Sequence, residues 1–300
     1  MRKTHRLIAI GALAVLTVTL TACGAAAQPT GVASELTAGA GTVAAESSGR
    51  RAIGLTAGGE LVGFDTANPG AAAVIGSVGG MQGDTSLVGV DYRVQDGKLY
   101  GVGNKGGIYT IDDATGAATK VRQLSVALKG KSFGVDFNPA ANALRIVSDK
   151  GQNLRQPFAT ADAPTAVDKA LTDPAPPPAS GTVPASGVTA AGYTNNDLDD
   201  TTATTLFDLN SMADRLAVQS PANAGTLAPA GKLPVDAGAD AGFDVYSTLD
   251  AGRTVDNDAF AAVPVGGVQR LLAVDLLTGD ATDLGQFNVE VTDLAIRLQQ

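Results

Sequence analysis

From Arg51 onward the apolar residues fall in short runs broken by Gly, Asp and Asn, as in "ELVGFDTANPG", "LVGVDYRVQDGKLYGVG" and "GIYTIDDATG". Within each run, Val, Ile, Leu, Phe and Tyr stand side by side or on alternate positions, the pattern of strands buried on one or both faces. No stretch holds apolar residues at i, i+3, i+4 and i+7 for more than a couple of turns. The pattern predicts an all-β chain joined by tight turns.

The runs repeat as larger units. "LVGVDYRV" at 87 returns as "SFGVDFNP" at 132, "TAAGYTNN" at 189 and "DAGFDVYS" at 240, with a weaker copy, "VTDLAIRL", at 291. Taking Asp91, Asp136, Tyr193, Asp244 and Ala295 as equivalent gives spacings of 45, 57, 51 and 51 residues. Each copy is followed by a second apolar strand, "KLYGV", "ALRIV", "TTLFDL" or "QRLLAVD". Periods of this size with four strands apiece predict a β-propeller. The last run lacks a blade after it, and the segment from Ala52 lacks an inner strand before it. Joining the two closes the ring and leaves no open sheet edge. The expectation is five four-stranded blades; a six-bladed ring with one degenerate blade and a two-sheet sandwich are the rivals. Gly89, Gly134, Gly192 and Gly242 in the first strands fit the crowding around a central channel. The dense prolines of 172–187 cannot enter a central strand and predict a surface loop insertion.

Gly101, Gly103 and Gly106 match the dinucleotide fingerprint G-x-G-x-x-G. That motif needs a helix after the glycines to meet the pyrophosphate. Here a strand, "GIYTID", follows instead, so the motif predicts a hairpin, with Gly103, Asn104 and Gly106 supplying positive-φ positions.

Composition changes the picture at the amino terminus. Arg2, Lys3 and Arg6 precede an apolar run from Leu7 to Leu20, and Leu20-Thr21-Ala22-Cys23 follows. This reads as a signal peptide over 1–22, cut before a lipobox cysteine that becomes acylated. Residues 23–50 are nearly all small and predict a lipid-anchored flexible tether; the propeller domain then spans 51–300. The only Cys is Cys23 and the only His is His5, so the mature domain has no imidazole and no thiol. Serine triads, Cys–His pairs and zinc sites built on those groups are excluded. Three basic and no acidic residues leave with the signal, so 18 basic residues face 30 acidic ones, a net charge of −12. Such a surface repels phosphate backbones, and nucleic acid is excluded as a partner. The membrane is reached through acyl chains such as palmitate at Cys23.

Candidate chemistry is sparse. Asp91, Asp136 and Asp244 lie on inner strands and converge on the channel, where carboxylates suit Ca²⁺ or Mg²⁺; the competing role is a hydrogen bond to a turn or the next blade. No other cofactor is called for. Asn195, Asp197 and Asp199 alternate as in a calcium loop, but Asp200 and Leu206 stand where Gly and Glu are required, so the segment reads as an acidic loop. Asn153 and Arg155, with Gln219 and Asn223, are polar residues beside strands and serve as candidates for a ligand surface.

The segments "LVGVDYR…GKLYGVG…GGIYTIDDATGAAT", "FGVDFNPAANALRIVSDKGQNLR", "GYTNN" and "LAVQSPANAGTLAPAGKL" resemble the DUF4394 family, a bacterial domain of unknown function. The resemblance runs from about 52 to 298 and departs at the proline-rich insertion. It implies an exported, propeller-like domain and carries no catalytic residues. The resulting expectation is a lipid-anchored extracytoplasmic binding or scaffold protein that holds an envelope protein, a glycan or a small ligand. The alternative is a carboxylate- or metal-dependent hydrolase of lactonase or glycosidase type, weakened by the absence of Trp and His.

Overall fold

The computed structural model describes residues 49–299. The signal peptide, Cys23 and nearly all of the tether lie outside the described residues. Strands β1 (Arg51–Thr56), β2 (Glu60–Asp65) and β3 (Asn68–Ser77) form one sheet with the last strand, β22 (Val291–Ile296), in the order β22-β1-β2-β3. Four further blades follow in sequence. The first holds β4 (Leu87–Arg93), β5 (Lys98–Gly103), β6 (Gly107–Ile111) and β7 (Ala118–Gln123). The second holds β8 (Phe133–Asn138), β9 (Ala143–Ser148), β10 (Asn153–Pro157) and the two-residue β11 (Ala166–Val167). A small ribbon of β12 (Thr172–Pro174) and β13 (Thr182–Pro184) precedes the third blade. That blade comprises β14 (Val188–Tyr193), β15 (Leu206–Asn210), β16 (Arg215–Gln219) and β17 (Leu227–Lys232). The fourth has β18 (Gly242–Asp250), β19 (Arg253–Val265), β20 (Val268–Val274) and β21 (Ala281–Gln286). The fold is a five-bladed β-propeller, closed by antiparallel pairing of Gly54 with Leu294 and Ile53 with Ala295.

The core is distributed over five seams. Ile53, Leu55 and Leu61 of the closing blade pack on Val90, Tyr92 and Leu99 of the first. Tyr100, Val102 and Ile108 then meet Phe133, Phe137 and Leu144 of the second. Val147 meets Tyr193 and Leu206, Leu209 and Leu216 meet Phe243 and Val245, and Phe260 and Leu271 return to Val62 and Leu294. Each central sheet is therefore apolar on both faces, which explains runs that alternate poorly. Glycine permits the tight approach at the axis. A Cβ on Gly134 would stand 2.5 Å from the Ala191 nitrogen, and one on Gly242 2.6 Å from the Asp293 Cα.

Three expectations change. Tyr193 is not the counterpart of Asp91 and Asp136: its N–H bonds to Asp136 as the Phe137 N–H bonds to Asp91, so Gly192 holds that position. In the "GVGNKG" hairpin, only Gly106 has positive φ, at 84°. The proline-rich insertion is a ribbon and not an open loop. Its prolines 174 and 184 sit at strand ends, Thr172 pairs with Pro184, and an Asp173–Arg215 ion pair ties it to the third blade.

Candidate functional site

The inner strands bring Asp91, Asp136 and Asp244 together on the channel axis, with one oxygen of each within 4.8 Å of the others. All three are buried. Each also crosses a seam. Asp91 Oδ2 accepts the Phe137 N–H at 2.7 Å, Asp136 Oδ1 accepts the Tyr193 N–H at 3.0 Å, and Asp244 Oδ2 accepts the Ile296 N–H at 2.5 Å. Alternation along the strand aims these side chains at the next blade while Val90, Val135 and Val245 face the previous one.

A fourth acid completes the set. Asp293 Oδ2 accepts the Val90 N–H at 2.8 Å, joining the closing blade to the first. It stands two residues before Ala295, at the level where the other blades carry Gly89, Gly134, Ala190 and Gly242. The first strand's glycine makes room: a Cβ on Gly89 would come within 3.0 Å of Asp293 Oδ2. One seam has no such acid. Between the third and fourth blades Gly192 lies against the Phe243 ring instead.

Burial raises these carboxyl groups, because ionisation in a site away from water is costly. Asp91 and Asp136 are held well above the usual range by burial, then by repulsion from the neighbouring acids. Burial also raises Asp293 strongly, against the Val90 and Leu294 N–H groups. Asp244 is pushed up to about 6 by burial, with the N–H groups of Ile296 and Val245 pulling it down. No Lys or Arg forms a salt bridge with any of the four among the described residues.

The other candidates also come together, but inside the molecule. Arg145, 2 % exposed, donates to the Tyr193 hydroxyl, Asn153 Oδ1, Asp168 Oδ2 and Asn223 Oδ1. The Asn153 amide reaches the Lys169 and Ala222 carbonyls, Gln219 donates to the same Ala222 carbonyl, and Arg155 shares Asp168 with Arg145. Asn153, Arg155, Gln219 and Asn223 thus belong to one network across the second and third blades. In the acidic loop, Asp197 is buried and takes both the N–H and the hydroxyl of Thr254. Arg145 itself was missed in the sequence because a lone arginine in "ALRIVS" resembles an outward-facing strand residue.

The channel opens at both ends. Where the inner strands begin, a cavity of about 430 Å³ is lined by Thr189, Thr292 and Asp293, with Asp240 and Lys131 at its rim. Where they end, a wider mouth of about 860 Å³ is lined by Arg50, Arg51, Arg297, Tyr92 and Tyr246, together with Asp96 and Asp197. Arg50 lies 4.1 Å from the centre of the Tyr246 ring and 3.0 Å from Asp258. Arg297 sits 5.9 Å from the centre of the Tyr92 ring and 2.8 Å from Asp113. Arg51 forms no salt bridge among the described residues.

The DUF4394 family, described as a domain of unknown function, matches residues 60–295. No curated protein matches the chain. Among solved structures, a structural-genomics protein of unknown function from Bacteroides thetaiotaomicron is similar at 14 % identity and a TM-score of 0.45; 85 % of this chain and 68 % of that one are covered. PorZ, an essential bacterial surface component of the type-IX secretion system of Porphyromonas gingivalis, is similar at 16 % identity and a TM-score of 0.36. There 80 % of this chain is covered, and only 27 % of that protein's length.

Proposed function

The chain belongs to the DUF4394 family, a domain of unknown function, and on that premise we propose that it is a lipid-anchored extracytoplasmic binding propeller that takes a small anionic ligand at its wider mouth. The observation that carries this reading is the arginine set at that mouth. Three arginines from the first and last strand ends line one opening of a protein whose mature net charge is strongly negative. Two of them are pre-oriented by tyrosine rings and outlying carboxylates, which reduces the ordering cost of binding. Guanidinium forks suit carboxylate or phosphate oxygens, and Arg51 is free of competing salt bridges among the described residues.

The hydrolase alternative has less support. The channel acids are engaged by backbone N–H groups across the seams and lie beneath the surface. A glycosidase would set two carboxyl groups on either side of an open cleft. Attachment through Cys23 and an extracytoplasmic location rest on the lipobox, as a reading of the sequence.

The test is calorimetric titration of the purified protein with inorganic phosphate and with galacturonate. Saturable binding of one of them is expected, weakened about ten-fold or more by Arg51→Ala and by Arg297→Ala, the scale of one lost charge-assisted contact. Binding that both variants leave unchanged, or no binding of either probe at millimolar concentration, contradicts the reading.

A further inference from the structure

We propose that the groove between the third and fourth blades, beside the overhang of β19, docks a lysine- or arginine-bearing apolar segment of a partner protein. It shares no lining residue with the arginine mouth, so the two readings stand or fail separately.

The length of β19 makes the groove. β20 pairs with it only from Ala259 to Val265, so Arg253–Asp258 runs on with β18 as its strand neighbour. The turn from Asp275 to Asp280 and Phe207 of the third blade complete a groove of about 750 Å³.

Two observations point to a partner. Leu277 is 82 % exposed and Val255 63 % exposed, and both line this one groove. A single exposed apolar side chain needs no explanation, but Leu276, Ala273 and Ala281 join these two in one apolar surface. Leu277 is also held in place. Asp275 Oδ1 accepts the Leu277 N–H at 2.8 Å and the Thr278 N–H at 3.0 Å, and the Gly279 N–H donates to the Asp275 carbonyl at 2.9 Å. A partner therefore meets a preformed turn, which lowers the ordering cost of binding.

Charge selects the partner. Asp256, Asp275 and Asp280 line the groove, are exposed and form no salt bridge among the described residues, whereas Asp258 is already paired with Arg50. The Leu277 and Thr278 N–H groups hold the Asp275 carboxyl below the usual range. No Lys or Arg lines the groove among the described residues. An apolar centre with a rim of one sign takes a segment whose apolar side chains stand between cations, and it repels an acidic one. A second copy of this acidic chain is repelled as a whole, which favours a basic partner.

The experiment titrates fluorescein-labelled acetyl-KLKVKLK-amide with full-length protein in non-ionic detergent, read by anisotropy against a detergent-only blank. Saturable binding with a dissociation constant of about 100 μM or tighter is expected, weakening as ionic strength rises from about 0.05 M to about 0.3 M. The charge-reversed peptide ELEVELE and the apolar-free KSKSKSK should each bind at least about ten-fold more weakly. Leu277→Ser and Asp280→Lys should each cost about ten-fold in affinity, while Asp162→Lys, on the second blade, should cost less than about two-fold. Equal losses in Asp280→Lys and Asp162→Lys would make the attraction a property of the acidic surface at large and overturn the proposal. Failure of KLKVKLK to bind, or binding that Leu277→Ser leaves unchanged, overturns it too. Sedimentation velocity of the protein alone should show no self-association through the groove; a dimer that Leu277→Ser dissolves would make a second copy the occupant and contradict the proposed partner. The peptide comparison uses the unaltered protein and decides even where a variant fails to fold.

Discussion

Asp208 on β15 is fully buried, and neither of its carboxylate oxygens has a hydrogen-bond partner. Burial pushes its pKa up to about 8, with the charge of Arg145 acting the other way. A carboxyl group raised in the folded state favours folding most below its unfolded value of about 4, and that contribution is lost as pH rises towards about 8. Asp208→Asn is neutral at every pH and nearly the same shape. The wild type should therefore lose stability between pH 4 and pH 8 that the variant keeps, a difference on the order of a few kcal/mol. Unfolding midpoints of both proteins across that range check this, and parallel profiles would contradict it. At this scale the sequence was legible in part. Asp91, Asp136 and Asp244 stood out because they recur at one position of a repeated strand. Asp293 did not, since it sits two residues off that position in the weakest copy, and only the glycine opposite it explains its place. Asp208 follows an apolar pair in "TTLFDL", where nothing local distinguishes a buried acid from one facing water.

Among the elements, inner strands were the most readable, because the channel imposes the same demand on each: a small residue at the axis and apolar neighbours on both sides. The misplacement of Tyr193 on β14 has a physical origin: the third blade carries Gly192 where three others carry aspartate. Without the acid, the eye aligns the next large residue, although Tyr193 is the counterpart of Tyr92 and Phe137. The proline-rich ribbon was illegible for a different reason. Proline argues against a strand interior, but β12 and β13 pair over only three residues, with Thr172 alone bridging on to Thr226, so their prolines cost no ladder bond in a larger sheet. Leu171 and Ala185 at its base, both buried against the third blade, are what hold it down.

For the whole molecule, the closing blade was legible because a strand without a sheet at one end of the chain needs a sheet without a strand at the other. Each of four seams then gains a buried acid-to-backbone hydrogen bond. The proposed ligand mouth was not legible in the same way: its arginines lie at 50, 51 and 297, and 297 comes beside the other two only once the ring is closed. The proposed anchoring belongs to the full chain, and Cys23→Ala is expected to move the protein from the membrane fraction to the medium. Retention on membranes, read by fractionation and immunoblot, would remove the acyl anchor from the account. The division between binding propeller and hydrolase is tested most directly by turnover. Wild-type protein and Asp136→Asn are incubated with ester, lactone and glycoside substrates. The account predicts no turnover above the uncatalysed rate in any of them; hydrolysis by the wild type that Asp136→Asn abolishes would contradict it.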